Sequence, residues 1–243
     1  MKKYNFKHYI TQEMVDNFIK STRDHNPIHN GALVDKPIVP GFQLESIAEQ
    51  YVNKALEKEG FNKQKDLDLT SIVTRFNKKL YSNSHLHIDI NNNFPLNVEV
   101  SIFDKQKELI FNSKFNYAIS KMDQPNGYHK NNIATYPLIE EDLECFYAGM
   151  GFKATKDVPF MFVPSMTSEA LMNNVGVPKG LSPVYVKHGI TIYKLSKLNR
   201  EVELSLDSIK RRGDSYVMTD VSATINNEPV SKINSSIFLM ENS

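Results

Sequence analysis

The sequence predicts an α+β fold made of two tandem units, each with a long helix packed on an antiparallel sheet. Three observations carry this. A long stretch at 42–59 has helical apolar periodicity, and four strand-like runs follow it at 69–78, 85–91, 96–103 and 109–119. A polar, turn-rich stretch at 120–135 reads as a linker. Beyond it the same plan returns.

Composition bounds the class. The 243 residues are enough for one large domain or two small ones, with a core that needs no crosslinks. With 29 Lys+Arg against 28 Asp+Glu and no block of like charge, nothing signals a nucleic-acid or membrane-surface partner. The single cysteine, Cys145, excludes an intramolecular disulfide framework and fits a reducing compartment, so a cytoplasmic location is expected. The N-terminus lacks an apolar signal core, and no run of about 18 apolar residues predicts a membrane span.

The elements follow in order. Thr11 is placed to cap a helix over 12–22, with Glu13 in its first turn and Met14, Val15, Phe18 and Ile19 as its apolar stripe. Gly31, Pro37, Pro40 and Gly41 forbid a long regular element before the next helix. In that helix Leu44, Ile47, Ala48, Tyr51, Val52, Ala55 and Leu56 form a broad stripe that should lie on a sheet. Glu45, Glu49, Asn53, Lys54 and Glu57 are expected on its polar face, and Gly60 stops it. Alternation is clearest at Leu86 to Ile90 and Val98 to Ile102, and the turn at 104–107 suggests a hairpin.

The halves are residues 1–119 and 136–243. Ile139 to Phe146 parallels Ile10 to Phe18, and Val163-Pro164-Ser165 parallels Val39-Pro40-Gly41. Ile192-Tyr193-Lys194 parallels Phe76-Asn77-Lys78. The remaining strands are expected at 185–194, 201–210, 215–225 and 230–240.

The chemistry is expected at Asp24-His25-Asn26-Pro27-Ile28-His29, with Val39-Pro40-Gly41-Phe42 after it. Pro27 removes a backbone donor and fixes its own φ, and it pushes Asn26 toward an extended conformation. The segment is therefore a shaped loop carrying a carboxylate and an imidazole, two common general acid/base groups. The second half has Thr155 to Phe160 in the corresponding place, without a histidine, so a single site on the first half is expected.

This stretch resembles the hydratase motif of the MaoC-like dehydratases, the (R)-specific enoyl-CoA hydratase family. Asp24, Asn26, Pro27, His29 and Gly41 each fall on a position of that motif, with Phe18 upstream. The tandem plan resembles the double hot-dog hydratases, in which one half keeps the catalytic motif. One departure stands out: many members have a His-Gly step where this chain has Pro40-Gly41.

The resemblance implies a hydro-lyase that hydrates trans-2-enoyl thioesters and dehydrates (R)-3-hydroxyacyl thioesters, on a coenzyme A or acyl carrier protein arm. It implies Asp24 as principal base and His29 as the partner that positions the water. The Gly41 N–H, at a helix N-terminus, would hold the thioester oxygen, and Asn26 would brace the loop. Asn26, Phe42 and Arg75 are candidate substrate-binding residues; Arg75, Lys78 and Lys79 read either as phosphate contacts or as an ordinary exposed basic strand end. No cofactor and no metal is expected; Pro27 spoils a shared helical face for His25 and His29. One chain would mimic a dimer of single units, and a further homodimer is compatible with this. Two alternatives stand beside the hydratase: a hot-dog acyl-thioester hydrolase, which would use a carboxylate, and a non-catalytic acyl-thioester binding or scaffold subunit.

His85 and His87 read as ordinary strand positions, and Cys145 as a buried structural thiol. Met166, Leu171, Met172 and Val175 read as core that could line an acyl tunnel.

Overall fold

Strand β1 (Lys2–Ile10) carries Tyr4, Phe6, His8 and Ile10 on its inward face and Lys3, Asn5, Lys7 and Tyr9 on its outward face. The sequence reading passed over it. The structure, a computed structural model, describes residues 2–31, 34, 36–61, 67–93, 96–118, 132–178, 180–194 and 196–241. Helix α1 (Gln12–Thr22) follows, with the Thr11 hydroxyl accepting the Met14 N–H at 3.1 Å. Helix α2 (Gly41–Lys58) ends in a Schellman turn. There Phe61 N–H donates to the Leu56 carbonyl and Gly60 N–H to that of Glu57, with Gly60 at φ 83°. Four strands complete the first half: β2 (Asp68–Phe76), β3 (Ser84–Asn93), β4 (Asn97–Phe103) and β5 (Leu109–Ala118).

The second half repeats the order: β6 (Asn132–Pro137), α3 (Glu140–Gly149), α4 (Phe162–Ser165), α5 (Thr167–Val175), β7 (Leu181–Ile192), β8 (Glu201–Arg212), β9 (Tyr216–Ile225) and β10 (Glu228–Glu241). Residues 120–131 of the expected linker lie outside the described residues. Residues 132–135 belong to β6, which pairs with β8.

The ten strands form one antiparallel sheet in the order β1-β3-β4-β5-β2-β7-β10-β9-β8-β6. The halves mirror each other about the β2–β7 seam, which runs from Ser71 opposite Thr191 to Arg75 opposite Lys187. Helix α1 packs on α3 so closely that a Cβ on Gly149 would lie 2.7 Å from the Phe18 backbone nitrogen. Among the described residues no helix is long and apolar enough to cross a membrane.

Two expectations are corrected. The polar face of α2 is only partly solvated: Lys54 and Glu57 are exposed, but Glu45, Glu49 and Asn53 are buried. The second half wraps that face and supplies partners. Gln43 donates to the Gly149 carbonyl at 2.6 Å, and Glu49 accepts the N–H groups of Phe160 and Met161 at 3.0 and 3.1 Å. Nor does the second half carry a long helix. Where α2 has 18 residues, α4 has 4 and α5 has 9. Pro164 cannot donate into a helical ladder. The hydroxyls of Ser165 and Thr167 bond back to the carbonyls of Met161 and Pro164, at 2.7 Å each, which favours a bend.

Candidate active site

Helix α1 ends at Arg23, whose left-handed φ of 55° turns the chain and lets the Asp24 N–H donate to the Ile19 carbonyl at 3.1 Å. The Arg23 guanidinium reaches Asp142 of α3 at 2.9 Å and lies over the Tyr136 ring, which ties the loop to the second half. Within the loop, Asn26 N–H donates to Asp24 Oδ1 at 3.2 Å. The Asn26 side chain accepts the Ile28 N–H at 3.4 Å and donates to the Pro183 carbonyl at 3.2 Å. Pro27 opens a single 3₁₀ turn, Pro27–His29.

Asp24 and His29 come together at the end of this turn. Both are buried, and His29 Nε2 lies 3.5 Å from Asp24 Oδ2. His29 Nδ1 lies 2.6 Å from the Ile38 carbonyl oxygen. A carbonyl only accepts, so Nδ1 carries the proton and the ring is held with Nε2 toward Asp24. Burial pushes the Asp24 carboxyl up. The His29 imidazole, with hydrogen bonds from His29, Ser168 and the Asn26 backbone, outweighs it and holds the carboxyl below its usual range.

A cavity of about 280 Å³ opens beside this pair. Its walls include Asn26, His29, Gly41, Phe76, Tyr185 and Phe238, so both halves contribute. Asp24 stands behind His29 rather than in the wall. Gly41 begins α2, where the first N–H groups have no helical acceptor. The space a side chain at 41 would need is taken by the Phe76 ring: a Cβ there would lie 3.0 Å from its Cζ. Lys78 and Lys79 lie in the wall too; Lys78 is paired with Asp104 and Glu108.

The structure does not gather every candidate here. Phe42 is buried, stacked on His188 at 4.3 Å between ring centroids, and is not in the cavity wall. Arg75 is exposed on β2 and is not in the wall either. Among the described residues no three His, Cys, Asp or Glu side chains cluster as a metal site.

Sequence reasoning missed what the second half brings. The Ser168 hydroxyl of α5 lies 3.0 Å from the Tyr185 hydroxyl of β7. His188 Nδ1 lies 2.8 Å from Glu45 Oε2, and neither side chain is exposed. Burial, with Asp24 and Glu45 nearby, pushes the Tyr185 phenol well above its usual value. The one available signal was His188 itself, an ionisable residue in a strand whose neighbours Ile190 and Ile192 face the core.

No protein-family model matches the sequence, and no curated protein sequence matches it. Solved structures do. A MaoC-like dehydratase superposes with a TM-score of 0.66 at 11% identity, over 99% of this chain and 98% of that one. An acyl-ACP thioesterase of Bacteroides thetaiotaomicron gives 0.62 at 11% identity, over 97% of each chain. A conserved Mycobacterium tuberculosis protein described as having a double hotdog fold gives 0.62 at 9% identity, over 99% of this chain and 97% of that one. These likenesses show the fold, a double hot-dog.

Proposed function

We propose that the protein is a hydro-lyase acting on acyl thioesters, adding water to trans-2-enoyl thioesters and removing it from (R)-3-hydroxyacyl thioesters. One observation carries this reading: His29, with the buried Asp24 carboxylate directly behind it, meets the start of α2 at one apolar cavity.

Asp24 is the base. Its carboxyl is held ionised, as a proton acceptor must be. Oδ2 of Asp24 and Nε2 of His29 are near enough for both to hold one water at the cavity edge. Asp24 takes a proton from this water as its oxygen bonds to C3 of the enoyl group. The electron pair of the double bond moves onto the thioester oxygen, which the Gly41 N–H and the positive end of α2 stabilise. As the enolate collapses, C2 takes the proton back, so the net change is addition of one water. No cofactor is needed. The acyl chain lies among Phe76, Tyr185 and Phe238, and the thioester arm, on coenzyme A or acyl carrier protein, leaves past Lys79.

The likeness to an acyl-ACP thioesterase favours a second reading, hydrolysis of the thioester. The carboxylates of α2 argue against it. Glu45 is engaged by His188 and Glu49 by two backbone N–H groups, both buried outside the cavity wall.

The test mixes purified protein with trans-2-enoyl thioesters of coenzyme A and of acyl carrier protein. Hydration bleaches the conjugated-enoyl absorbance without releasing thiol, and both Asp24→Asn and His29→Ala should slow it by about 10²–10⁴-fold. Thiol release would instead establish the hydrolase. Neither signal on any substrate would overturn both readings and leave a binding subunit.

A further inference from the structure

Strand β7 contains a bulge. Against β10, Lys187 pairs with Ser236 and Tyr185 with Ile237, so Val186 has no opposite number. In a regular strand residues 185 and 188 would face opposite sides of the sheet. The extra residue turns Tyr185 onto the face of His188, and the two rings meet edge to face at 4.3 Å and 70°. Phe42 closes the cluster, 5.4 Å from Tyr185 and 4.3 Å from His188. The Tyr185 ring is thus held in the cavity wall, with its hydroxyl on Ser168 at 3.0 Å. Ser168, 2% exposed, stands close enough to Asp24 to help hold its carboxyl low.

We propose that Tyr185 is a positioning residue of the site: through Ser168, its hydroxyl fixes the Asp24 carboxylate against His29. Among the described residues Asp24 receives one backbone N–H, from Asn26; His29 flanks its carboxylate from the same loop, and Ser168 does so from the second half. The bulge, the ring cluster and the Ser168 hydroxyl make one rigid path from the sheet to that carboxylate. The ionisable groups around it are His29 on its own loop, Tyr185 of β7, and Glu45 of α2 with its partner His188.

The kinetic part of this proposal rests on Asp24 acting as the base, so the decisive readout uses no substrate. The full-length protein is labelled with ¹³C at the aspartate carboxyls, Asp24 is assigned from Asp24→Asn, and its titration is followed by NMR. Tyr185→Phe keeps the ring and removes the hydroxyl; Ser168→Ala removes the middle of the path. Both variants should move the Asp24 midpoint upward, and the double variant should move it no further than the larger single one. With enoyl thioesters, kcat should fall roughly 3- to 10-fold, the worth of one hydrogen bond, at nearly constant KM. The acid limb of the rate profile should move up with the titration. An Asp24 titration in Tyr185→Phe that superimposes on the wild type overturns the proposal, whatever the activity. A rise in KM alone overturns it too, since Tyr185 then only lines the cavity. If the wild type hydrates nothing while the titrations still shift, the positioning stands and the hydratase reading falls.

Discussion

Glu45 and His188 meet at 2.8 Å with neither side chain exposed, one from each half of the chain. Glu45 Oε1 and His188 Nε2 have no hydrogen-bond partner among the described residues. A buried pair of this kind is weak evidence for net stability, yet removing one partner strands the other. Glu45→Leu and His188→Phe should each lower unfolding free energy by about 3–5 kcal/mol. The double variant should recover most of that loss, since it buries no polar group. Denaturant titration of the four proteins decides this. Additive losses would mean that each residue acts through packing alone.

The Asp24–His29 pair predicts a pH dependence. Asp24 and His29 variants should lose about 10²–10⁴-fold in hydration, the usual worth of general acid/base help. In the wild type the acid limb set by Asp24 should lie below the ordinary carboxylate range, because its carboxyl is held low. In His29→Ala the chief lowering partner is gone and burial remains, so the residual activity should show an acid limb moved up. Stability follows the same sign. A depressed carboxyl contributes stability above its unfolded value, and this is lost as pH falls through the folded value. A limb that stays put in His29→Ala would contradict this account.

Much of this architecture is legible in the sequence, and the failures have physical causes. The helix at 12–22 and the last four strands of each half show because their faces alternate between core and solvent, whereas β6 was hidden in the polar stretch read as a linker. Strand β1 was passed over because its inward face carries Tyr4 and His8, amphipathic residues set among lysines. The polar residues of α2 read as solvent-facing because their partners, His188 and the Phe160 and Met161 N–H groups, lie more than 100 residues away. The Asp24 to His29 loop is local, so its turn chemistry could be read directly. Ser168 and Tyr185 reach it only through the fold, and a single serine and tyrosine carry no spacing signal.

His8 gives a second pH prediction, in stability. Burial, then the charge of Lys54, lowers its pKa from 6.5 to about 4. The imidazole stacks on Phe152 at 5.9 Å and bonds the Tyr51 hydroxyl at 3.1 Å, while Lys54 sits over both rings. Below pH 6.5 the unfolded chain takes up a proton that the native state refuses until about pH 4. The stability contributed by neutral His8 is therefore full above 6.5 and drains away across that window. His8→Phe keeps an aromatic ring and cannot titrate. Denaturant midpoints measured at several pH values should show the variant gaining on the wild type as pH falls through the window. A constant difference would mean that His8 is solvated and titrates normally.

The final prediction concerns Gly41 and separates two reasons for a glycine there. A Cβ would lie 3.0 Å from Cζ and 3.2 Å from Cε1 of Phe76. Alanine keeps the backbone N–H that would hold the thioester oxygen, so Gly41→Ala should act sterically, by driving the Phe76 ring into the cavity. The ring is the far end of a flexible side chain, so the fold should survive while kcat/KM falls. Phe76→Leu shortens the obstacle. If the collision is with Phe76, the double variant should recover activity over Gly41→Ala, with a coupling of about 0.5–3 kcal/mol for side chains in contact. If the bound thioester itself occupies the space above Gly41, the Cβ obstructs substrate whatever stands at 76, and the two losses should simply add. Recovery would make Phe76 the residue that requires glycine at the head of α2; additivity would assign that requirement to the substrate.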